Sequence, residues 1–353
     1  MKRFIGVCCL VFILSNAGSS NSDMLFASEQ FQNSANTSDS LENLTLLSRI
    51  DEVVAKVKKR QLKSDEHTPW VIMHAAIAFK SEATVFDVES QENIQAIEYL
   101  LTRAKHEGRP LFRLVKSTPR LPRVPEVEHH MNQYLMMLAL ARVSLKKQLI
   151  LDTGDTLAVT DLVEAAKLGI DDEQEVGWSL VALSTYLSFA DKWVAANGKS
   201  YQIKDILRLG ISRDPRNEAE GGTHHLFGVA YAYNKYRHEN DTLMGVWQEA
   251  GKYLKKHTMT VQSFQQEDGA FSDGLLSEAA APESPSKLVF STGHTLEWLI
   301  FALTDEELRE PWVVRAVNRL CEEIENNPLE AFSDGGIYHA VNALRLYKAI
   351  ALQ

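Results

Sequence analysis

What most restricts the fold of this chain is the alternation of two kinds of segment from Leu41 onward. Six segments are apolar on almost every side: TPWVIMHAAIAF from Thr68, HHMNQYLMMLALA from His129, EVGWSLVALSTYL from Glu175, GGTHHLFGVAYAY from Gly221, TGHTLEWLIFAL from Thr292 and GGIYHAVNALRLY from Gly335. A helix that is apolar all round is buried all round. The intervening segments, Glu42–Lys59, Gln91–Lys105, Thr160–Leu168, Tyr201–Leu209, Thr242–Gln262 and Asp305–Asn326, carry a single apolar stripe. In the last of them Val313, Val314, Val317, Leu320, Cys321 and Ile324 make the stripe, and Arg315, Asn318, Glu322 and Glu323 fall elsewhere. Such helices cover the first kind and face water. No stretch alternates apolar and polar residues over a strand's length, so the expected fold class is all-α.

Outer and inner segments alternate strictly, with inner starts about 45 to 70 residues apart, from the helix-pair repeat range upward. An open solenoid needs polar caps at both ends, and the last segment, ending LRLYKAIALQ at Gln353, has no visible cap. Closure into a ring buries both terminal pairs without caps. The expectation is a closed (α/α)6 toroid of six helical hairpins, one domain over residues 41–353, with an inner and an outer ring. Thr68-Pro69 sets a capping side chain before a proline at the first helical position, and Asp172 with Glu175 has capping-box spacing. Each inner helix follows its outer partner, so all six inner N-termini gather at one mouth.

The first residues, MKRFIGVCCLVFILSNAGSS, run from a basic start through a short apolar stretch to small residues. That is the pattern of a secretory signal peptide over residues 1–17, with Ser15 to Ala17 as the cleavage site, and it predicts export to the periplasm or beyond. Residues 18–40, rich in Ser, Asn and Gln, read as a flexible linker. Cleavage leaves Cys321 as the only cysteine, which excludes an intrachain disulfide or a multi-cysteine zinc site. The net charge of −10 and the absence of a basic cluster argue against nucleic acid or anionic lipid as a partner. No integral membrane segment is expected after cleavage.

Seven of the eleven histidines lie at inner-segment starts. The lumenal candidates are Trp70 and His74, His129 and His130, Glu175 and Trp178, His224 and His225, His294, Glu297 and Trp298, and Tyr338 and His339, with Glu220 and Asp273 among the carboxylates near the mouth. Of the adjacent pair His224 and His225, which diverge by about 100° on a helix, one can point fully inward, and we expect His225. The positive end of a helix disfavours imidazolium, so these histidines are expected neutral, the form that binds polar ligands or acts as a base. An aromatic floor with convergent neutral donors suits a sugar or similar ligand. Each histidine can equally cap a loop carbonyl or fill the core. No H-E-x-x-H and no i,i+4 histidine pair occurs on an inner segment, so no metal and no cofactor is expected. Nucleophile-elbow, P-loop and G-x-G-x-x-G motifs are absent as well.

Three resemblances accompany these patterns. QQEDGAF, Gln265 to Phe271, resembles the Q-x-x-x-G-x-W/F repeat of terpenoid cyclases and protein prenyltransferases, whose domains are α/α toroids; the cyclase D-x-D-D motif and the prenyltransferase zinc cysteine have no counterpart here. TGHTLEWLIFAL is similar to the G-H-x-x-E-W segment of the N-acylglucosamine 2-epimerase superfamily, which implies that His294 and Glu297 face a sugar-binding lumen. Over nearly the whole chain after residue 40, HTPWVIMH, GGTHHLF, QQEDGAF, TGHTLEWL and YHAVNALRLY resemble a family of uncharacterised secreted bacterial proteins.

The functional expectation is an exported carbohydrate-active enzyme of the epimerase, lyase or hydrolase type. His225 and His294 would serve as acid and base, Glu297 as orienting or basic carboxylate, and Trp178 and Trp298 as the stacking surface. His74, His130, Glu175, Asp273, Tyr338 and His339 would contact a small-molecule or glycan ligand. The alternatives are a non-catalytic binding or scaffold protein and, third, an isoprenoid enzyme, which would need a drier lumen.

Overall fold

The computed structural model describes residues 44–351; the expected signal peptide and linker lie outside the described residues. The chain divides into two units, the first ending at Leu46 and the second, which is compact, beginning at Leu47. The second unit is mostly helical, and among the described residues no helix is long and apolar enough to cross a membrane.

Twelve α-helices occur among the described residues, in the expected alternation. The odd-numbered set is α1 (44–58), α3 (Ala96–Thr102), α5 (Val159–Gly169), α7 (Ile203–Ile211), α9 (Val246–Phe264) and α11 (Pro311–Asn326). The even-numbered set is α2 (Pro69–Phe79), α4 (Gln133–Leu140), α6 (Gly177–Tyr186), α8 (Thr223–Glu239), α10 (Pro285–Ala302) and α12 (Asp334–Ala351). In α2 every residue from Val71 to Phe79 is buried, and in α10 every residue from Ser291 to Phe301. In α7 only Ile203, Ile206, Leu207 and Gly210 are buried, a spacing that puts one stripe inward.

The even helices pack in sequence, α2 on α4, α4 on α6, α6 on α8, α8 on α10 and α10 on α12, and α12 packs on α2. The odd helices lie against this set, α3 on α2, α5 and α7 on α6, α9 on α8 and α11 on α10. From the start of the second unit, Arg49 pairs with Glu325 at 2.7 Å and Lys56 Nζ donates to the carbonyls of Ile324 and Asn327 at 2.7 and 2.8 Å. Those bonds hold α1 to the C-terminal end of α11, where unpaired helix carbonyls need donors.

Local signals account for some helix starts and not others. Thr68 Oγ1 accepts from the Val71 N–H at 3.4 Å ahead of Pro69, as its sequence implies. The expected capping box at Asp172 and Glu175 does not form: Val176 is the N-cap of α6, Asp172 pairs with Lys199, and Glu175 turns to His130. Helix α10 starts at Pro285, a full two turns before Thr292, with Ser284 capping Lys287. The loops also hold short β pairs, such as β1 (Thr84–Asp87) with β2 (Glu92–Gln95) and β3 (Arg113–Val115) with β4 (Thr118–Arg120). Strands of three or four residues are too brief to leave a readable alternation.

Helices α6 and α8 meet with no side chain between them. A Cβ on Gly228 would lie 2.1 Å from the Gly177 carbonyl oxygen, and one on Gly177 would lie 2.7 Å from that of His224. Gly228→Ala is therefore expected to destabilise the fold by about 3 kcal/mol, because only backbone could move aside. Urea denaturation of the variant checks this, and an unchanged midpoint would show that the helices can part.

Candidate functional site

The site is organised by the chain reversal ahead of α8. Glu220, Gly221 and Gly222 have φ of 50°, 59° and 88°, three successive left-handed residues. Glycine adopts this freely, but Glu220 has a Cβ and is strained by on the order of 1–2 kcal/mol. Gly222 is also required for space, since a Cβ there would sit 2.2 Å from the Pro215 carbonyl oxygen. The reversal lays the Glu220 carboxylate over the first turn of α8. Its Oε2 lies 3.1 Å from His224 Nε2 and 3.0 Å from His294 Nε2.

Around that carboxylate the rings of four inner helices meet. Centroid separations are 4.1 Å for His294–His339, 5.3 Å for His224–His294, 5.3 Å for His224–His339 and 5.2 Å for His74–His339. Trp178 lies 4.4 Å from His224, and His130 lies 5.1 Å from it. Trp70 packs on His74 at 3.9 Å and on His129 at 5.0 Å. His74, His224, His294 and His339 are each 2% exposed. The His130, Glu175 and Glu220 side chains beside them are partly open, at 15%, 18% and 29% exposed.

The hydrogen bonds fix where protons can be. His294 Nδ1 is 2.8 Å from the Phe290 carbonyl oxygen, which can only accept, so Nδ1 carries hydrogen. A neutral His294 then points a bare Nε2 lone pair at Glu220 Oε2, acceptor against acceptor. A positive species must lie between them, and in the protein alone that is a proton. Burial lowers the pKa of His294, but the Glu220 contact outweighs burial and leaves it raised. Burial likewise opposes charge on Glu220, and the imidazoles of His224 and His294 outweigh it, holding this carboxyl far below its ordinary range. His74 and His339 are pushed well below the usual imidazole value, first by burial and then by neighbouring histidines. Neutral imidazole is thus retained at His74 and His339, whereas carboxylate partners reverse that expectation at His294 and, through Glu175, at His130.

A second buried carboxylate lies one turn along α10. Glu297 Oε2 accepts from His339 Nδ1 at 2.7 Å, and Oε1 accepts from Asn342 Nδ2 at 2.7 Å. Asn342 Oδ1 in turn accepts from Lys80 Nζ at 2.9 Å, at the C-terminal end of α2. Burial raises the Glu297 carboxyl to about 7 and lowers Lys80 to about 7. A hydrogen-bonded line thus runs from Lys80 through Asn342 and Glu297 to His339.

Of the residues given a role at the site, His74, His130, Glu175, Trp178, His294, Glu297 and His339 come together, and the other four do not join their contacts. His225 is turned away: its Nε2 is 3.1 Å from the Gly210 carbonyl of α7 and its ring faces Tyr253 of α9, so His224 is the inward member of the pair. Asp273, in the loop before α10, forms an ion pair at 2.9 Å with Lys287 in the first turn of that helix. Tyr338 is buried with its ring edge-on to Phe79 at 6.3 Å. Trp298 is fully buried, and among the described residues its ring joins none of the stacked pairs. Glu220, one of the expected mouth carboxylates to which no role was given, and His224, the pair member not expected inward, take the central places. The glycine pair after Glu220 was the available sign that the chain doubles back there.

His225 still has a measurable consequence. Burial lowers its pKa to about 4, below the roughly 6.5 of an unfolded histidine. Below that upper value the unfolded chain takes up a proton that the folded chain refuses, so stability falls as pH drops and the loss is complete near pH 4. The expected loss is on the order of 3 kcal/mol. His225→Gln keeps a donor for Gly210 without a titrating group. Urea midpoints at neutral and acid pH should converge for this variant relative to the parent, and an equal acid loss in both would place the sensitivity elsewhere.

Two groups of side chains here can hold a metal ion. One nitrogen each from His224, His294 and His339 lie within 4.8 Å of one another, and the same limit is met by His130, Glu175 and His224. No protein-family model, curated protein or solved structure matches this chain. The functional reading therefore rests on the geometry.

Proposed function

We propose that this chain is an exported enzyme acting on a carbohydrate or similar small polyol, and that the Glu220–His224–His294 cluster is its acid–base centre. The supporting observation is the single carboxylate oxygen held at 3.0 and 3.1 Å from two imidazole nitrogens, beside a partly open rim. An imidazole with its proton held against a carboxylate can deliver that proton and take it back, as epimerisation, elimination and hydrolysis each require. Glu175 and His130 at the rim, with Trp70 as a flat apolar surface, suit the polar edges and apolar face of a sugar ring. The packing of α12 on α2 supports reading the fold as a closed (α/α)6 toroid of six hairpins. Export is supported by the N-terminal sequence pattern alone.

The test is incubation of the purified protein with a panel of glycans and monosaccharides, read by mass spectrometry and, for epimers, by NMR. Product formation that is lost in His294→Ala and kept in His225→Gln supports the reading. The near-complete burial of His74, His224, His294 and His339 favours a second reading, a binding or scaffold protein whose ligand meets only the rim. Saturable binding with no product across the panel would establish that alternative.

A further inference from the structure

The geometry points to a divalent transition-metal site in which His224, His294 and His339 bind zinc(II) through their Nε2 atoms and the Glu220 carboxylate supplies the fourth ligand. Such a site does not depend on the identity of any substrate.

The spacing suits zinc. Tetrahedral zinc at about 2.0–2.1 Å from its ligands separates neighbouring ligand atoms by roughly 3.3 Å. Glu220 Oε2 is already 3.1 Å from His224 Nε2 and 3.0 Å from His294 Nε2, and one nitrogen of each of the three histidines lies within 4.8 Å of the others. The way the rings are held suits a metal as well. A metal-binding histidine characteristically donates its other N–H to a carbonyl or carboxylate, which fixes the tautomer and aims the lone pair. His294 Nδ1 is held by the Phe290 carbonyl and His339 Nδ1 by Glu297, so both free lone pairs are Nε2.

The four atoms also lack good partners. His224 Nε2, His294 Nε2, His339 Nε2 and Glu220 Oε2 are all buried without a well-aligned hydrogen bond, despite the short approaches to Glu220. Such atoms are rare in folded proteins and cost about 1–3 kcal/mol each. One cation among them would satisfy all four. The charge is also met by opposite groups: the Glu220 carboxylate faces the dication directly and the Glu297 carboxyl lies behind His339. The other group is the weaker candidate, because His130 and Glu175 already satisfy each other at 3.0 Å. Instead, with Glu220, these two residues give a cation a polar route inward.

The experiment uses the purified chain, stripped with chelator and then exposed to zinc(II), cobalt(II) or magnesium(II). Elemental analysis should find about one zinc per chain, cobalt should give the intense visible bands of four-coordinate geometry, and magnesium should not be retained. His294→Gln and His339→Gln should lose zinc, His225→Gln should keep it, and Glu297→Gln should weaken it by about 10- to 100-fold. Failure to retain zinc, retention undiminished in both ligand variants, or a six-coordinate cobalt spectrum would overturn the site. If the ligand variants do not fold, the cobalt spectrum of the parent protein decides. Zinc uptake without turnover supports this site while removing the enzymatic proposal, and full turnover by protein that cannot take up zinc does the reverse.

Discussion

Replacing Glu220 by glutamine is expected to slow turnover on any processed carbohydrate by about 10²- to 10⁴-fold, the range for loss of a positioned acid–base group. The substitution removes the charge that holds a proton on His294 and changes almost no volume. Stability should fall only modestly. The glutamine amide N–H can donate to the His294 Nε2 that the proton has left, exchanging a charge-assisted hydrogen bond for a neutral one. A variant with intact rate would remove Glu220 from the chemistry, and one that is inactive because it is unfolded would show up in circular dichroism. The expected combination, lost rate with most of the stability kept, is the signature of a strained residue retained for function.

Glu297→Ala is expected to act in the opposite way, costing about 3–5 kcal/mol of stability, the penalty for breaking a buried charge-assisted network by removing one partner. The loss leaves His339 Nδ1 and Asn342 Nδ2 without their 2.7 Å acceptor deep between α10 and α12, where water does not substitute. Glu297→Gln should be much milder. Its amide oxygen still accepts from Asn342, while its N–H₂ faces His339 Nδ1 and favours the tautomer with hydrogen on Nε2. Chemical denaturation of the two variants side by side measures the difference. Equal and small losses would mean that the network does not stabilise the helix pair.

The helical order could be read in the sequence because burial on all sides and burial on one stripe are written in which positions are apolar. Val71 to Phe79 and the stripe of α11 are direct examples. The start of α10 was harder to see, since its first turn, Pro285 to Leu288, is largely polar and only Ser284-Pro285 marks it. Most of the site was also legible as histidines and carboxylates in or just ahead of the segments that are apolar on every side. What could not be read was rotation. Whether His224 or His225 faces inward depends on how α8 is turned about its axis, and that is set by Gly228 against Gly177, residues far apart in sequence. For the same reason the three proposed zinc ligands escape any spacing rule. They come from three different helices, and their separations along the chain follow loop lengths rather than coordination geometry.

That glycine contact also bears on motion. Helices that meet through leucine or methionine can slide and breathe as their side chains change rotamer. Backbone against backbone has no such compliance, because the repulsive wall is steep and there is no rotor to yield. The first turn of α8, which carries His224, rests on the first residue of α6 through this hard stop. Thermal fluctuation should therefore be small where the imidazoles meet and larger toward the rim, where His130 and Glu175 are carried by loop. A ligand would encounter a pliant entrance and a floor of nearly invariant dimensions, so selectivity by size would be decided at the bottom and accommodation of shape at the top.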